Sequence, residues 1–244
     1  MTLLLFRDDA YLKTCVAKVT GVDDRGIQVD RTVFYATSGG QPGDTGTLTR
    51  TDGTEIRVAS TVTGATKDDI IHIAEQGSGL PNVGETVTLS INWQRRLNLM
   101  KMHAACHILS VVCPFPITGA AVNEDDSRVD FDLPDPTYTR EFVTAEMQKI
   151  INSDHPVSIR WIDEAELDAN PTIVRSKNVR PPRGLGRIRL VLIGKDGSID
   201  SQPCGGTHVA STGEIGLIHI AKIEKKGREN RRFRIRFGAS PGPS

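Results

Sequence analysis

Twenty residues carry the architecture of this chain: Trp93-Gln94-Arg95-Arg96-Leu97-Asn98-Leu99-Met100-Lys101-Met102-His103-Ala104-Ala105-Cys106-His107-Ile108-Leu109-Ser110-Val111-Val112. They contain no Gly or Pro, and Leu97, Met100, Ala104, Ile108 and Val111 recur at helical spacing. Pro114 and Pro116 stop the helix. With 244 residues the chain has room for one large or two small domains. The helix separates a purely β half from a mixed half.

Upstream, Cys15, Ala17 and Val19 alternate with Val16, Lys18 and Thr20. Short apolar runs follow at Gly26–Val29, Val33–Tyr35, Ile56–Val62, Ile70–Ala74 and Thr86–Ile91. Asp23-Asp24-Arg25-Gly26, Asp52-Gly53, Gly77-Ser78-Gly79 and Pro81-Asn82 supply the turns. Short strands at close spacing predict a small barrel or sandwich. Downstream, Arg128–Leu133, Val157–Ile162, Arg187–Ile193, Ile215–Ile223 and Arg232–Phe237 read as strands, and Thr139–Ile151 as a second amphipathic helix. That irregular order predicts an α+β domain. The tail Ser240-Pro241-Gly242-Pro243-Ser244 is expected to be disordered.

Composition excludes several classes. A hydrophobic share of 38% with periodic Leu, Ile and Val rules out a disordered chain. No internal repeat of fixed period points to a solenoid. No apolar run approaches the ~18 residues of a membrane span. The N-terminus lacks a basic leader, so no signal peptide is expected. Four cysteines in a chain this long do not make a disulfide framework, which points to a reducing cytosol.

A formal charge of zero hides two unlike halves. Residues 1–169 hold 15 basic and 25 acidic residues; residues 170–244 hold 15 basic and 5 acidic ones. The densest basic stretch runs from Lys222 to Arg236, and a second cluster is Arg175, Lys177, Arg180, Arg183, Arg187 and Arg189. Such segregation fits a polyanion-binding face or a solvated strand edge.

The chemistry concentrates in two spacings. His103 and His107 stand at i and i+4 on the helix, so both imidazoles reach one ion. Cys204-Gly205-Gly206-Thr207-His208 repeats the spacing with a thiol, and its glycines let a loop close around that ion. Either pair alone is a common packing pattern. Together, three nitrogens and one sulfur suit tetrahedral Zn²⁺. Cys106 shares the face of His103, as a competing ligand or a small core residue; Cys15 and Cys113 read as buried. Other zinc chemistries lack their residues. A metalloprotease helix needs Glu where Ala104 stands, and a deaminase needs Glu where Ala105 stands. No nucleophile elbow or P-loop occurs.

A third motif, Phe34-Tyr35-Ala36-Thr37-Ser38-Gly39-Gly40-Gln41-Pro42-Gly43-Asp44-Thr45-Gly46, reads as a surface turn or as a backbone loop that approaches a ligand, with one amide to orient it.

In this order the three motifs resemble the AlaX proteins, free-standing relatives of the editing domain of alanyl-tRNA synthetase. The resemblance covers nearly the whole chain and includes Trp93-x-Arg95-Arg96 and Lys222-x-x-x-Lys226-Gly227. The first domain is similar to that of the medium-length type. The chain departs from the family pattern at Ser38, Ala104 and Cys106, where Gly, Thr or Ser, and Gln or Thr are usual; these changes touch amino-acid selectivity, not the metal ligands. The resemblance implies a small β-barrel-like domain with the glycine motif over 1–91. It implies a zinc-containing α/β editing domain, like those of threonyl- and alanyl-tRNA synthetases, over 92–244. One Zn²⁺ would be held by His103, His107, Cys204 and His208. Gly39, Gly40, Gln41, Gly205, Gly206 and Thr207 would line the amino-acid pocket, and Lys222, Lys225, Lys226, Arg228, Arg231 and Arg232 would contact tRNA.

The activity implied is cytoplasmic hydrolysis of mischarged tRNA(Ala), chiefly seryl and with glycyl as a second candidate, sparing alanyl-tRNA(Ala). Size alone cannot admit serine and refuse the smaller alanine. A site that needs the hydroxyl can, because each polar group left unpaired costs about 1–3 kcal/mol. The competing reading is a non-catalytic zinc-containing tRNA-binding module.

Overall fold

A computed structural model describes residues 2–134, 138–178 and 186–240. It resolves into two compact units, Met1–Asn98 and Leu99–Ser244. Their boundary falls within the helix Trp93–Val112.

In that first unit the strands are β1 (Leu3–Leu4), β2 (Thr14–Asp23), β3 (Gly26–Val29), β4 (Arg31–Thr32), β5 (Gly46–Arg50), β6 (Glu55–Thr63), β7 (Ile70–Ala74) and β8 (Thr86–Ile91). Six of them close a barrel in the order β2-β3-β7-β6-β5-β8, while β1 and β4 form a separate parallel pair. Alternation fills its interior: Val19, Ile27, Leu48, Ile56, Val87 and Leu89 are buried, and the residues between them face outward. Cys15, expected in the core, is only half-buried.

The predicted strand Val33–Tyr35 does not form. Its residues are buried, and side chains bind part of its backbone instead of a neighbouring strand. The Val33 carbonyl accepts from Arg96 Nη2 at 2.7 Å, and the Tyr35 amide donates to Asp44 Oδ2 at 2.6 Å. Arg96 and Asp44 form a buried ion pair, 0% and 1% exposed. Arg96 Nε donates to Asp44 Oδ1 at 3.0 Å and Nη1 to the Ala10 carbonyl at 2.9 Å. Beside it, Arg95 Nη1 donates to the Gly43 carbonyl at 2.7 Å. The glycines that flank Asp44 are packing glycines: a Cβ on Gly43 would lie 1.9 Å from the Thr61 carbonyl oxygen, and one on Gly46 2.1 Å from that of Ser90.

The helix α1 (Trp93–Val112) leads into β9 (Ile117–Ala121), β10 (Asp126–Asp132), α2 (Arg140–Asn152), β11 (Val157–Ile162), α3 (Glu164–Ala169), β12 (Ile188–Ile193), β13 (Asp200–Pro203), β14 (Ile218–Lys225) and β15 (Asn230–Phe237). The second unit contains two sheets, β14-β15-β10-β9 and β11-β12-β13. All their pairings are antiparallel. Thr139 caps α2 by accepting from the Phe142 amide, and Val143, Met147 and Ile151 are its buried stripe. Central strand β12 is buried along its whole length. Ile188, Leu190 and Leu192 pack with Ile162 and with Leu167 of α3. That leaves Arg189, Val191 and Ile193 on the opposite face. Residues 241–244 of the expected tail lie outside the described residues.

Removing one partner of a buried ion pair strands the other. Asp44→Ala should therefore cost about 3–5 kcal/mol of stability. Urea denaturation would show this as a fall in midpoint; a loss below ~1 kcal/mol contradicts the role given to the pair. A second prediction concerns His72, which is fully buried in β7, with Nδ1 donating to the Ile27 carbonyl (3.0 Å) and Nε2 accepting from Thr32 Oγ1 (2.9 Å). Burial pushes its pKa down from 6.5 to about 4, against the opposing pull of the Ile27 carbonyl. The folded state therefore refuses a proton that the unfolded state accepts. Stability from this group is complete above pH 6.5 and declines by roughly 3 kcal/mol as pH falls to about 4. His72→Gln should flatten the stability curve across that window; identical slopes in both proteins would contradict this.

Candidate metal centre

The two spaced motifs meet in space. His103 and His107 project from one face of α1, and Cys204 and His208 come from the loop that follows β13. Their four ligand atoms lie within 4.8 Å of one another. The three imidazoles are buried and Cys204 is half-buried. Cys204 Sγ is 3.5 Å from His103 Nε2 and 3.7 Å from His208 Nε2. Zinc bonds of ~2.3 Å to sulfur and ~2.0–2.1 Å to nitrogen put the S···N edge of a tetrahedron at about 3.6 Å. The donors therefore fit a zinc ion in type, number and spacing.

Electrostatics fit as well. Burial alone would raise the Cys204 pKa, but His103, His208 and His107 outweigh it and hold the thiol well below its ordinary value. A deprotonated thiolate is the form that binds metal. His208 is pushed down to about 3 by burial and by neighbouring His103, so it stays neutral. Cys106 is buried, burial together with Cys204 raises its thiol to about 12, and it is not among the four residues whose donor atoms cluster. The loop around the ligands is fastened from behind: Arg189 Nη1 donates to the Cys204 carbonyl at 2.8 Å and to the Gly206 carbonyl at 3.0 Å.

Behind His107 lies a group that the motifs did not reveal. His107 Nδ1 is 3.0 Å from Asp200 Oδ2, which turns Nε2 toward the cluster. Asp200 is buried, and it accepts from Gln202 Nε2 at 2.9–3.0 Å and pairs with Arg175 Nη2 at 3.0 Å. Burial opposes protonation of His107, yet the Asp200 hydrogen bond and Cys204 raise its pKa to about 10. A signal existed in the sequence: Asp200, Gln202 and Cys204 stand two apart, so a strand places them on one face.

Other expected site residues are distributed differently. Gly39 and Gly40 have positive φ (57° and 83°) and form the exposed tip of a tight turn, closed by mutual hydrogen bonds between Ser38 and Gln41. The Gln41 side chain is buried. Gly205 is exposed, whereas Gly206 and Thr207 are buried.

The basic residues are less of a face than their sequence suggested. Arg231 is buried and donates to the carbonyls of Gly227, Asn230 and Pro134. Arg232 binds Asp130 through two hydrogen bonds, of 2.8 and 2.9 Å. Arg234 and Arg236 both bind Asp126. Lys222, Lys225, Lys226 and Arg228 remain exposed on and beside the β14–β15 turn. In the second cluster Arg175 and Arg189 turn inward, Lys177 pairs with Asp132 at 2.6 Å, and Arg180 and Arg183 lie outside the described residues.

Comparison with known proteins assigns the class and then the family. A family model described as "Threonyl and Alanyl tRNA synthetase second additional domain" matches residues 188–234, and one described as "tRNA synthetases class II (A)" matches 6–95. The chain is thus assembled from modules of the tRNA synthetase kind. It is 36% identical to "Alanyl-tRNA editing protein AlaX-M" of Methanosarcina acetivorans, over 96% of this chain and 98% of that one. It is 34% identical to "Alanyl-tRNA editing protein AlaX-L" of Pyrococcus horikoshii, over 57% of that longer protein. Against "Alanine--tRNA ligase" of Pyrobaculum aerophilum it is 39% identical, but covers 25% of the ligase. The chain belongs to the AlaX family of alanyl-tRNA editing proteins and has the length of its M form. Among the described residues, no helix is long and apolar enough to cross a membrane.

Metal analysis should find one zinc per chain. Cys204→Ala and His107→Ala should each lose most of it, and chelation should lower the melting temperature of the wild type, because metal binding is coupled to folding. Full zinc retention in both variants would contradict the ligand set.

Proposed function

We propose that this protein is a zinc-dependent hydrolase that removes a wrong amino acid, chiefly serine and secondarily glycine, from tRNA(Ala) and spares alanyl-tRNA(Ala). The observation that carries the reading is the intact set of three imidazoles and one thiolate in a chain that aligns with an alanyl-tRNA editing protein over 98% of that relative's length. Zinc held by His103, His107, Cys204 and His208 would supply Lewis acidity toward the ester or a water molecule. The ligand motifs contain no carboxylate placed as a general base, so the protein's own part is to position the substrate. Gln41 and Thr207, both buried, and the Gly39–Gly40 and Gly205–Gly206 backbones are the groups assigned to the amino-acid pocket. Serine brings a hydroxyl for such groups to bind; alanine does not, and each unmade hydrogen bond costs about 1–3 kcal/mol.

The tRNA backbone is assigned to the exposed cations Lys222, Lys225, Lys226 and Arg228, because cations at the surface reach phosphate with little desolvation, although Lys222 and Lys226 share Glu224 as an ion-pair partner. Arg231 and Arg232 then act mainly by shaping the hairpin that carries them. A second reading has one specific support: four protein ligands make a closed site, and closed sites are usually structural. It makes the protein a tRNA-binding module without turnover.

Turnover with seryl-, glycyl- and alanyl-tRNA(Ala) decides between them. The proposal expects rapid loss of serine, slower loss of glycine and background loss of alanine. Serine loss at the spontaneous rate would leave the binding module. Gln41→Ala should lower kcat/KM for seryl-tRNA about tenfold, the effect of ~1.4 kcal/mol in the transition state, with zinc content unchanged. Replacing Lys225, Lys226 and Arg228 together by Gln should weaken tRNA binding and flatten its salt dependence while zinc content holds. An unchanged salt slope would remove these residues from the interface.

A further inference from the structure

We propose that Arg175 and Asp200 form a positioning pair that orients His107 toward the metal, with Arg175 acting through Asp200. The inference rests on the reading of His103, His107, Cys204 and His208 as a zinc centre. It assigns a role to two residues that no ligand motif includes.

The geometry is specific. A histidine that binds metal through one ring nitrogen usually fixes its tautomer by donating from the other. Among the four donors, His107 has a carboxylate for that purpose, with Asp200 Oδ2 3.0 Å from Nδ1. Asp200 is itself 2% exposed, and a buried carboxylate needs its remaining lone pairs filled. Gln202 Nε2 donates to both of its oxygens, at 3.0 and 2.9 Å, and Arg175 Nη2 lies 3.0 Å from Oδ1. These contacts leave Asp200 one orientation in which Oδ2 faces the imidazole.

Arg175 is bound at both ends of the arrangement. While Nη2 holds Asp200, Nη1 donates to the Ser110 carbonyl at the far end of α1. The Ser110 hydroxyl in turn donates to the His107 carbonyl at 2.7 Å and accepts from Gln202 Nε2 at 2.8 Å. One guanidinium therefore links the helix that carries His107 to the strand that carries Asp200. A planar fork does this where a lysine ammonium would reach one partner at a time.

Charge gives Arg175 a second reason to be there. A zinc ion with one thiolate carries one net positive charge, and Asp200 alone would cancel it. The guanidinium compensates the carboxylate, so Asp200 can orient His107 while the centre as a whole would stay cationic.

The test measures zinc affinity by competition with a chromogenic chelator, so it needs no tRNA. Asp200→Ala should weaken zinc binding 10–100-fold. Arg175→Met should weaken it less, and the double variant should match Asp200→Ala within about threefold, because Arg175 has nothing left to act through. Additive losses in the double variant would overturn the link between the two residues. Wild-type affinity in Asp200→Ala would overturn the pair altogether. If these variants fail to fold, long-range ¹H–¹⁵N spectra of the zinc-loaded wild type decide: His107 should carry its proton on Nδ1, and a proton on Nε2 would overturn the proposal. A wild type that binds no zinc would overturn the metal centre and the pair with it. A zinc protein without seryl-tRNA turnover would defeat only the proposed activity.

Discussion

One thiol and three imidazoles gathered in one largely buried place, with their donor atoms within 4.8 Å of one another, form a group that could hold a metal ion. Without an ion, the lowered Cys204 thiol is balanced by His107, whose imidazole is held in its protonated form by Asp200 and Cys204. With one, His103, His107, Cys204 and His208 would be the residues to hold it, and metal binding would be coupled to folding. This grouping ties together residues 101 positions apart in the chain, His103 on α1 and Cys204 after β13. The surrounding choices follow from it. Two glycines follow Cys204, small buried alanines stand at 104 and 105, and a buried carboxylate sits behind His107.

The first unit has a polar constraint of its own. Arg96 and Asp44 are buried together and satisfy backbone groups that would otherwise need a neighbouring strand. Their presence divides the glycine motif into two parts with different physics. Gly43, Asp44 and Gly46 build the unit, since backbone crosses backbone at both glycines. Gly39 and Gly40 form an exposed turn that packing does not explain, because a Cβ on Gly39 would meet nothing within 4 Å.

What could be read in the sequence follows from which physics is local. The meeting of His103, His107, Cys204 and His208 was legible because their spacing is helical or loop-like and such a set of residue types is rare. The helix α1 was legible because twenty residues without Gly or Pro leave one period only. The strands β5 and β13 were not: Gly46–Arg50 buries a single large apolar residue, Leu48, and Asp200–Pro203 is polar because its buried residues, Asp200 and Gln202, hydrogen-bond to His107 and to each other and do not pack in a hydrophobic core. The opposite error, at Val33–Tyr35, arose where burial was read as sheet although distant side chains supply the hydrogen bonds. Charge was the least legible property. The basic stretch beyond Lys222 stands out in one dimension, but β15 lies beside β10, and Asp126 and Asp130 neutralise much of it.

The central claim is that one zinc ion sits among three nitrogens and one sulfur. X-ray absorption at the zinc edge of the purified protein tests it without any variant. The account expects a single sulfur at about 2.3 Å and three nitrogen scatterers with imidazole signatures at about 2.0–2.1 Å. A shell with two sulfurs would bring Cys106 into the site, and a shell of oxygen and nitrogen alone would exclude Cys204; either would contradict the centre described above.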